Sequence, residues 1–538
     1  MQKQVFHGIL ICLLFFCAPL VNADNTVSEV RGVWITNVDS DMLFSHAKLV
    51  ESIDYLARTG FNVIYPVVWN KGMTLFPSHI MDSIFGIPQD TFFAQQGRDP
   101  LAELIVEAHR HGMEVIPWFE FGFSSSYNEN GGHIIAKKPQ WAALDKDGRL
   151  LKKNGFEWMD ALNREVQDFV LSLLMELVTN YDIDGIQGDD RLPAMPVEGG
   201  YSPAAKELYR RDHGGVEPPS NPRDMGFVRW KATQLNHFTA RMYRMIKAAD
   251  ANLIVSMAPN MYSWAYLEYL QDSRTWLDSV YCDQYIPQVY RWQIADYKEL
   301  TLNIFGDTGR MEYGFLNHYW KQRSIPGIII KAGNQYSDQN YVLEAVRYNR
   351  SLGIAGESFF FYEGLGKLNN FLADTLHKYV YQKPALPFYR HGYLWRPEAR
   401  ILQAEDNGNQ REGEWRADAN LKGYQNSPTL VTSDSNAKLS FTIDARDAGL
   451  YDIFYYVPRG MEGKKESVAQ RIKIDSQPMS FSSSVSVWGW QSIGVINLKA
   501  GKQIIDFTFM GSSENPLYID AIMLMVNRRH ARQTVVNP

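Results

Sequence analysis

From residue 27 onward the chain alternates short, β-rich apolar runs with stretches of helical period. The runs are RGVWIT (31–36), NVIYPVVW (62–69), MEVIPWFEF (113–121), DGIQGDD (184–190), LIVSMAP (253–259), YIPQVY (285–290), GIIIKAG (327–333) and ESFFFYE (357–363). Between them lie amphipathic segments such as HAKLVESIDYLARTG, stopped by Gly60, and DPLAELIVEAHRHG, stopped by Gly112; a glycine there ends a helix without steric cost. Runs that are apolar throughout fit strands covered on both faces, as in a parallel sheet. Eight strand-then-helix units predict an α/β fold, a (β/α)8 TIM barrel over residues 27–382, with its chemistry at the C-terminal ends of the strands. Such a barrel ordinarily takes about 250 residues, so roughly 100 lie in enlarged loops, the longest after strands two, three and four.

Near residue 383 the pattern changes. QKPALPFYRHGYLWRPEAR is rich in proline and aromatic residues and reads as a packed connector over 383–400, not a flexible tether. From 401 to 527 the helical period gives way to short alternating runs: AKLSFTID, GLYDIFYYV, AQRIKID, WQSIGVINL, KQIIDFTF and YIDAIMLMV. Their spacing and their Gly, Asn and Ser turns predict a C-terminal antiparallel β-sandwich. A chain of 538 residues has room for both cores.

Residues 1–23, MQKQVFHGILICLLFFCAPLVNA, read as a secretory signal cleaved near Ala23, which implies export to the periplasm or beyond and no transmembrane segment in the mature chain. Cys12 and Cys17 lie in this leader, so Cys282 is left alone and no internal disulfide can form. The net charge of −6, from 54 basic and 60 acidic residues, gives no footprint for nucleic acid. A neutral or polar ligand fits better, and the 14 tryptophans suit a carbohydrate cleft, where flat apolar rings with polar edges are used.

The candidate chemistry sits at the strand ends. Strand four finishes with Asp189, Asp190 and Arg191, and alternation along a strand turns one aspartate to the mouth and its neighbour to the helices. Strand three supplies Glu120 in PWFEFGF and strand eight Glu363 in FFFYEG. Their apolar neighbours raise a carboxyl pKa, as a general acid requires. Trp34 and Asn37 of strand one, Trp69 and Asn70 of strand two, Trp118 of strand three, Asn260 after strand five, and Gln288 and Tyr290 of strand six are read with Arg191 as the sugar-binding lining. Several carboxyls facing one mouth match glycoside hydrolysis, which needs an acid and a nucleophile or base across the scissile bond. Metal hydrolysis would need clustered histidines, and His109 and His111, spaced i,i+2 at a helix end, do not face one ligand. No metal and no cofactor are expected, and the chain has no serine elbow, P-loop or dinucleotide fingerprint.

These strand ends resemble a bacterial family, the exported glycosyl-hydrolase-like proteins related to the enzyme that cleaves denuded peptidoglycan glycan strands. The matching stretches are RGVWIT, WNKGMTLFPS, AHRHGMEVIPWFEFGF, NREVQDFV, YDIDGIQGDD, PQVY and SFFFYE, in this order and covering most of residues 29–365. The resemblance implies hydrolysis of a bacterial polysaccharide, most plausibly peptidoglycan glycan. It carries the strand-four aspartates onto Asp189 and Asp190 and the strand-eight glutamate onto Glu363, while members with WFEFGF match at Glu120. In related barrel hydrolases the strand-four aspartate is the usual nucleophile; this favours Asp190 as nucleophile or charge stabiliser with Asp189 in support, and Glu363 or Glu120 as acid. Gly188 stands where the family motif D-G-[IV]-Q-F-D-D has an aromatic residue, a departure expected to open space beside the acids. The tail resembles the carbohydrate-binding-like sandwich of golvesin and xanthan-lyase type proteins. Two rival readings are a non-catalytic glycan-binding or envelope-scaffold protein, and a deacetylase or other metal hydrolase.

Overall fold

The computed structural model describes residues 26–306, 316–434, 436–458, 468–474, 477–483, 488–509 and 516–529. The leader read at residues 1–23 lies outside the described residues. Each of the eight apolar runs overlaps a strand: β1 (Val30–Ile35), β2 (Val63–Pro66), β3 (Glu114–Val115), β4 (Gly185–Gly188), β5 (Ile254–Met257), β6 (Gln284–Tyr285), β7 (Gly327–Ile329) and β8 (Gly356–Phe360). Residues of β1, β2, β4 and β5 are buried without alternation, because helices cover one face and packed side chains the other.

All pairings among these strands are parallel. Five lie in the order β7-β8-β1-β2-β3 and three in the order β4-β5-β6. Isolated parallel bridges link the two sets at both edges: Trp118, just past β3, pairs with Gln187 of β4, and Gln288, just past β6, pairs with Gly327 of β7. A helix follows each strand: α1 (His46–Arg58), α2 (Pro100–Arg110), α3 (Arg164–Asn180), α4 (Met225–Ala249), α5 (Ser273–Asp278), α6 (Ile294–Phe305), α7 (Gln339–Ser351) and α8 (Leu372–Tyr379). Ser45, Asp99, Asn163 and Asp224 cap the first four, each side chain accepting a first-turn N–H, which stabilises a helix by about 1 kcal/mol. The loop after β3 folds into a small antiparallel sheet of Ser124–Tyr127, Phe156–Trp158 and Lys152–Lys153.

One apolar core runs from Val30 to Phe388 and a second from Ala404 to Leu524. The second is built from antiparallel strands, among them a sheet of Arg400–Gln403, Ala521–Val526, Gly449–Val457 and Gly489–Leu498. Strand Lys438–Ala445 alternates buried and open positions, as a one-sided sheet demands. A third cluster, with Phe454, Tyr456, Trp490 and Met523, packs on Val106 of α2 and joins the two regions. The stretch between them is packed: Arg390 donates to both carboxylate oxygens of Glu114 (2.9 and 2.7 Å), and Arg396 to Asp184 (2.8 Å) and Asp182 (2.7 Å). Among the described residues no helix is long and apolar enough to cross a membrane.

Candidate active site

A ladder of polar side chains crosses the interior from strand to strand. Trp34 Nε1 donates to Gln187 Oε1 (2.6 Å), Gln187 Nε2 to Ser256 Oγ (2.9 Å), and Ser256 Oγ and Tyr65 OH both to Gln284 Oε1 (2.9 and 3.0 Å). It ties β1, β2, β4, β5 and β6 together, and it fixes Gln187 inward. Two residues on, alternation brings Asp189 to the same side.

Asp189 is 2% exposed in its side chain; one carboxylate oxygen accepts from Trp118 Nε1 (2.9 Å) and the other from the Arg191 backbone N–H (2.9 Å). Asp190 is the most open of the local acids at 26%, with an oxygen 3.3 Å from Arg191 Nη1. Glu120 enters from the end of the third strand run: its Oε2 accepts from Asn70 Nδ2 (2.6 Å), and its Oε1 lies 3.7 Å from Arg191 Nη2. The same Asn70 amide donates to Asn37 Oδ1 (2.8 Å). Arg191 is therefore the hub. Its Nε donates to the Glu120 carbonyl (2.6 Å), and its guanidinium lies 4.5 Å from the centre of the Phe156 ring. Gly122 lets this happen: its φ is +49°, and a Cβ there would collide with the Arg191 carbonyl.

Three carboxyls thus share one guanidinium. Burial pushes Glu120 up to about 7 against the pull of Arg191, with the neighbouring Asp190 charge adding to the rise. Burial, then the charge of Asp190, holds Asp189 well above the ordinary carboxylate range. Acids with more carboxyl than counter-charge around them keep a proton near neutral pH.

The family model for glycosyl hydrolase-like 10 matches residues 29–302, just over half of the chain. The chain belongs to the glycosyl hydrolase-like 10 family. This glycosyl hydrolase-like 10 chain is similar to glycosyl hydrolase DigH of Escherichia coli K12, 24% identical over 316 residues, 51% of this chain and 68% of that one. It is similar also to glycosyl hydrolase YngK of Bacillus subtilis 168, 22% identical over 461 residues, 76% of this chain and 84% of that one. Among solved structures it is similar to the PgaB (BpsB) glycoside hydrolase domain of Bordetella bronchiseptica, with TM-score 0.47, 14% identity, and coverage of 65% of this chain and 98% of that one.

Of the residues singled out in the glycosyl hydrolase-like 10 sequence, Glu120, Asp189, Asp190, Arg191, Asn37, Asn70 and Trp118 come together. Other expectations need correction. Trp69 is fully buried, its Nε1 donating to the Gly122 carbonyl (3.0 Å) and its ring set edge-on to Phe169 of α3, so it cannot meet a sugar. Trp34 and Trp118 are also buried, and each uses its indole N–H to hold Gln187 or Asp189. They organise the acids; they do not line a cleft. Glu363 accepts from Ser40 Oγ (2.8 Å). Among the described residues no hydrogen bond or ion pair joins it to the Arg191 cluster, although burial raises its pKa too. Gly188 opens no space: a Cβ there would strike the Leu192 carbonyl and meet the Met257 side chain at 3.2 Å.

Tyr290 stacks on Phe360 with centroids 5.3 Å apart, Gln288 donates to the Ala258 carbonyl (3.0 Å), and Asn260 accepts from the Met261 N–H (3.0 Å). His109 and His111 diverge, to Asp184 and Asp54 respectively, and among the described residues no group of three or more metal-binding side chains occurs. Periodicity gives no signal for Phe156, which arrives from the loop sheet to meet the Arg191 guanidinium.

Proposed function

We propose that the protein is a glycoside hydrolase acting on a bacterial polysaccharide, peptidoglycan glycan strands first, with Glu120 and Asp190 as its working pair. The observation that carries this reading is the gathering of three carboxyls around Arg191, where burial and then the Asp190 charge raise the Glu120 pKa to about 7, so that it can hold a proton beside a more open aspartate. In this reading Glu120 gives its proton to the glycosidic oxygen as the bond to the leaving sugar breaks. Asp190 stands at the anomeric carbon as nucleophile or base. Asp189 is a positioning residue, held by Trp118 and the Arg191 backbone. The family membership and the glycosyl hydrolase names of DigH and YngK support the reaction class; the strand-end motifs and the leader support peptidoglycan and export.

The same proposal takes residues 27–382 as a closed (β/α)8 barrel and 401–527 as a carbohydrate-binding-like β-sandwich. Parallel bridges at both sheet edges and two separate apolar cores favour it. The deciding experiment incubates the mature protein with peptide-free and peptide-bearing glycan strands and identifies new ends by mass spectrometry. New reducing ends on the peptide-free strands are the expected result. Binding without new ends would replace hydrolysis with a glycan-binding or scaffolding role.

A further inference from the structure

The loop after β5 carries a short helix, Trp264–Tyr269. Its first residue, Trp264, is 49% exposed, and among the described residues no other tryptophan is as open. Its open indole presents a flat apolar face with a polar edge. Its surroundings connect it to the acids. The Trp264 ring lies 5.5 Å from Tyr269, whose hydroxyl accepts from Asn154 Nδ2 (2.9 Å).

The segment is also pinned. Glu268 accepts from Lys153 Nζ and from Arg223 Nη1, both at 2.7 Å, and the carbonyls of Glu268 and Tyr269 accept from the N–H groups of Val197 (3.0 Å) and Met195 (3.1 Å). Two residues past the helix, Gln271 Nε2 donates to the backbone carbonyl of Asp189 (2.8 Å). A single short segment therefore holds the open indole, the Tyr269 ring beside it and a direct bond to the acid-bearing turn.

We infer that Trp264 is a stacking platform for a pyranose ring of a glycan chain, distal to the bond that is cut, so that the enzyme takes extended chains in preference to short fragments. The inference rests on the glycoside hydrolase reading and adds a specificity residue to it. An indole offers a flat apolar surface to the C–H face of a sugar. A platform already fixed by its own bonds loses little entropy on binding.

The test compares wild type, Trp264→Ala and Trp264→Phe on peptide-free peptidoglycan strands and on a tetrasaccharide cut from them. Binding of the same strands to the Glu120→Gln variant, with and without Trp264→Ala, is measured in parallel. The platform requires KM for long strands to rise about tenfold in Trp264→Ala, with kcat and tetrasaccharide hydrolysis unchanged and Trp264→Phe close to wild type. Strand binding by the Glu120→Gln protein should weaken by a similar factor when Trp264 is removed. Equal KM and equal binding with and without the indole would overturn the platform while leaving hydrolysis intact. Absence of new ends from wild type would instead overturn the hydrolase reading, and the binding arm would still decide whether Trp264 holds glycan.

Discussion

Strand β4 has buried aspartates at both of its ends, and they live under opposite conditions. Asp184, before the strand, accepts from Val115 N (2.8 Å), Trp395 Nε1 (2.7 Å) and Arg396 Nε (2.8 Å), and lies 2.9 Å from His109 Nε2. Burial opposes its charge, but Arg396 and His109 outweigh it and hold Asp184 well below the ordinary range. Asp189, after the strand, has a tryptophan N–H and one backbone N–H, with Asp190 beside it, and is held above that range. Around Asp184, three acids face Arg390, Arg396 and His109; around Asp189, three acids share Arg191. Glu114 departs from the pattern, since burial outweighs its bidentate Arg390. A surplus of donors makes a carboxylate part of the scaffold; a shortage leaves it free to exchange protons.

The contrast breaks if the two ends respond alike to mutation. Asp190→Asn and Glu120→Gln should each lower turnover by about 10² to 10⁴ without any loss of stability in urea. Asp184→Asn should do the reverse: breaking a buried ion pair costs about 3 to 5 kcal/mol of unfolding free energy, with turnover per folded molecule unchanged.

The pH dependence sharpens the comparison, because the signs differ. Asp184 has a folded pKa below its ordinary 3.8, so its stabilisation is present above pH 4 and is lost as pH falls below it. The stability gap between wild type and Asp184→Asn should therefore shrink steadily in acid. Glu120 has a folded pKa raised from 4.5 to about 7, so its proton stabilises the fold at low pH and that stabilisation is lost as pH rises from 4.5 through 7. Glu120→Gln, which mimics the protonated form, should gain on wild type across that window in urea titrations at stepped pH. Arg191→Lys keeps a charge but loses the fork and the Phe156 contact. Activity should fall less than in the acid variants, and the alkaline limb of the rate profile should move upward. The smallest effect belongs to Glu363→Gln, which lies outside the cluster; turnover close to wild type is the expected reading.

Much of this was legible in the sequence. Uninterrupted apolar runs mark parallel strands because both faces are covered, and the acids gathered around Arg191 stand where those runs end. Glu120, Asp189, Asp190 and Arg191 are singled out this way, and the fold brings them together. What periodicity does not carry is the direction of a large side chain near a strand end. Trp34, Trp69 and Trp118 read as cleft lining, yet each indole N–H has an internal acceptor, and those acceptors lie 53 to 153 residues away along the chain. Gly188 looked like added room for the same reason, since the Leu192 carbonyl that fills it arrives through a turn and not along the strand.

The arginines under β3 and β4 also bear on when the chain can finish folding. Arg390 and Arg396 follow the last helix, α8, so the arginines that serve Glu114, Asp182 and Asp184 are made after all eight parallel strands. Delivered from its N-terminus, the chain presents β4 well before Arg396. Through that interval the apolar runs can collapse, but the charged end of the sheet waits for the connector. The late counter-ions act as a latch: the α/β region closes fully only once the chain has committed to the segment that leads into its β-rich partner.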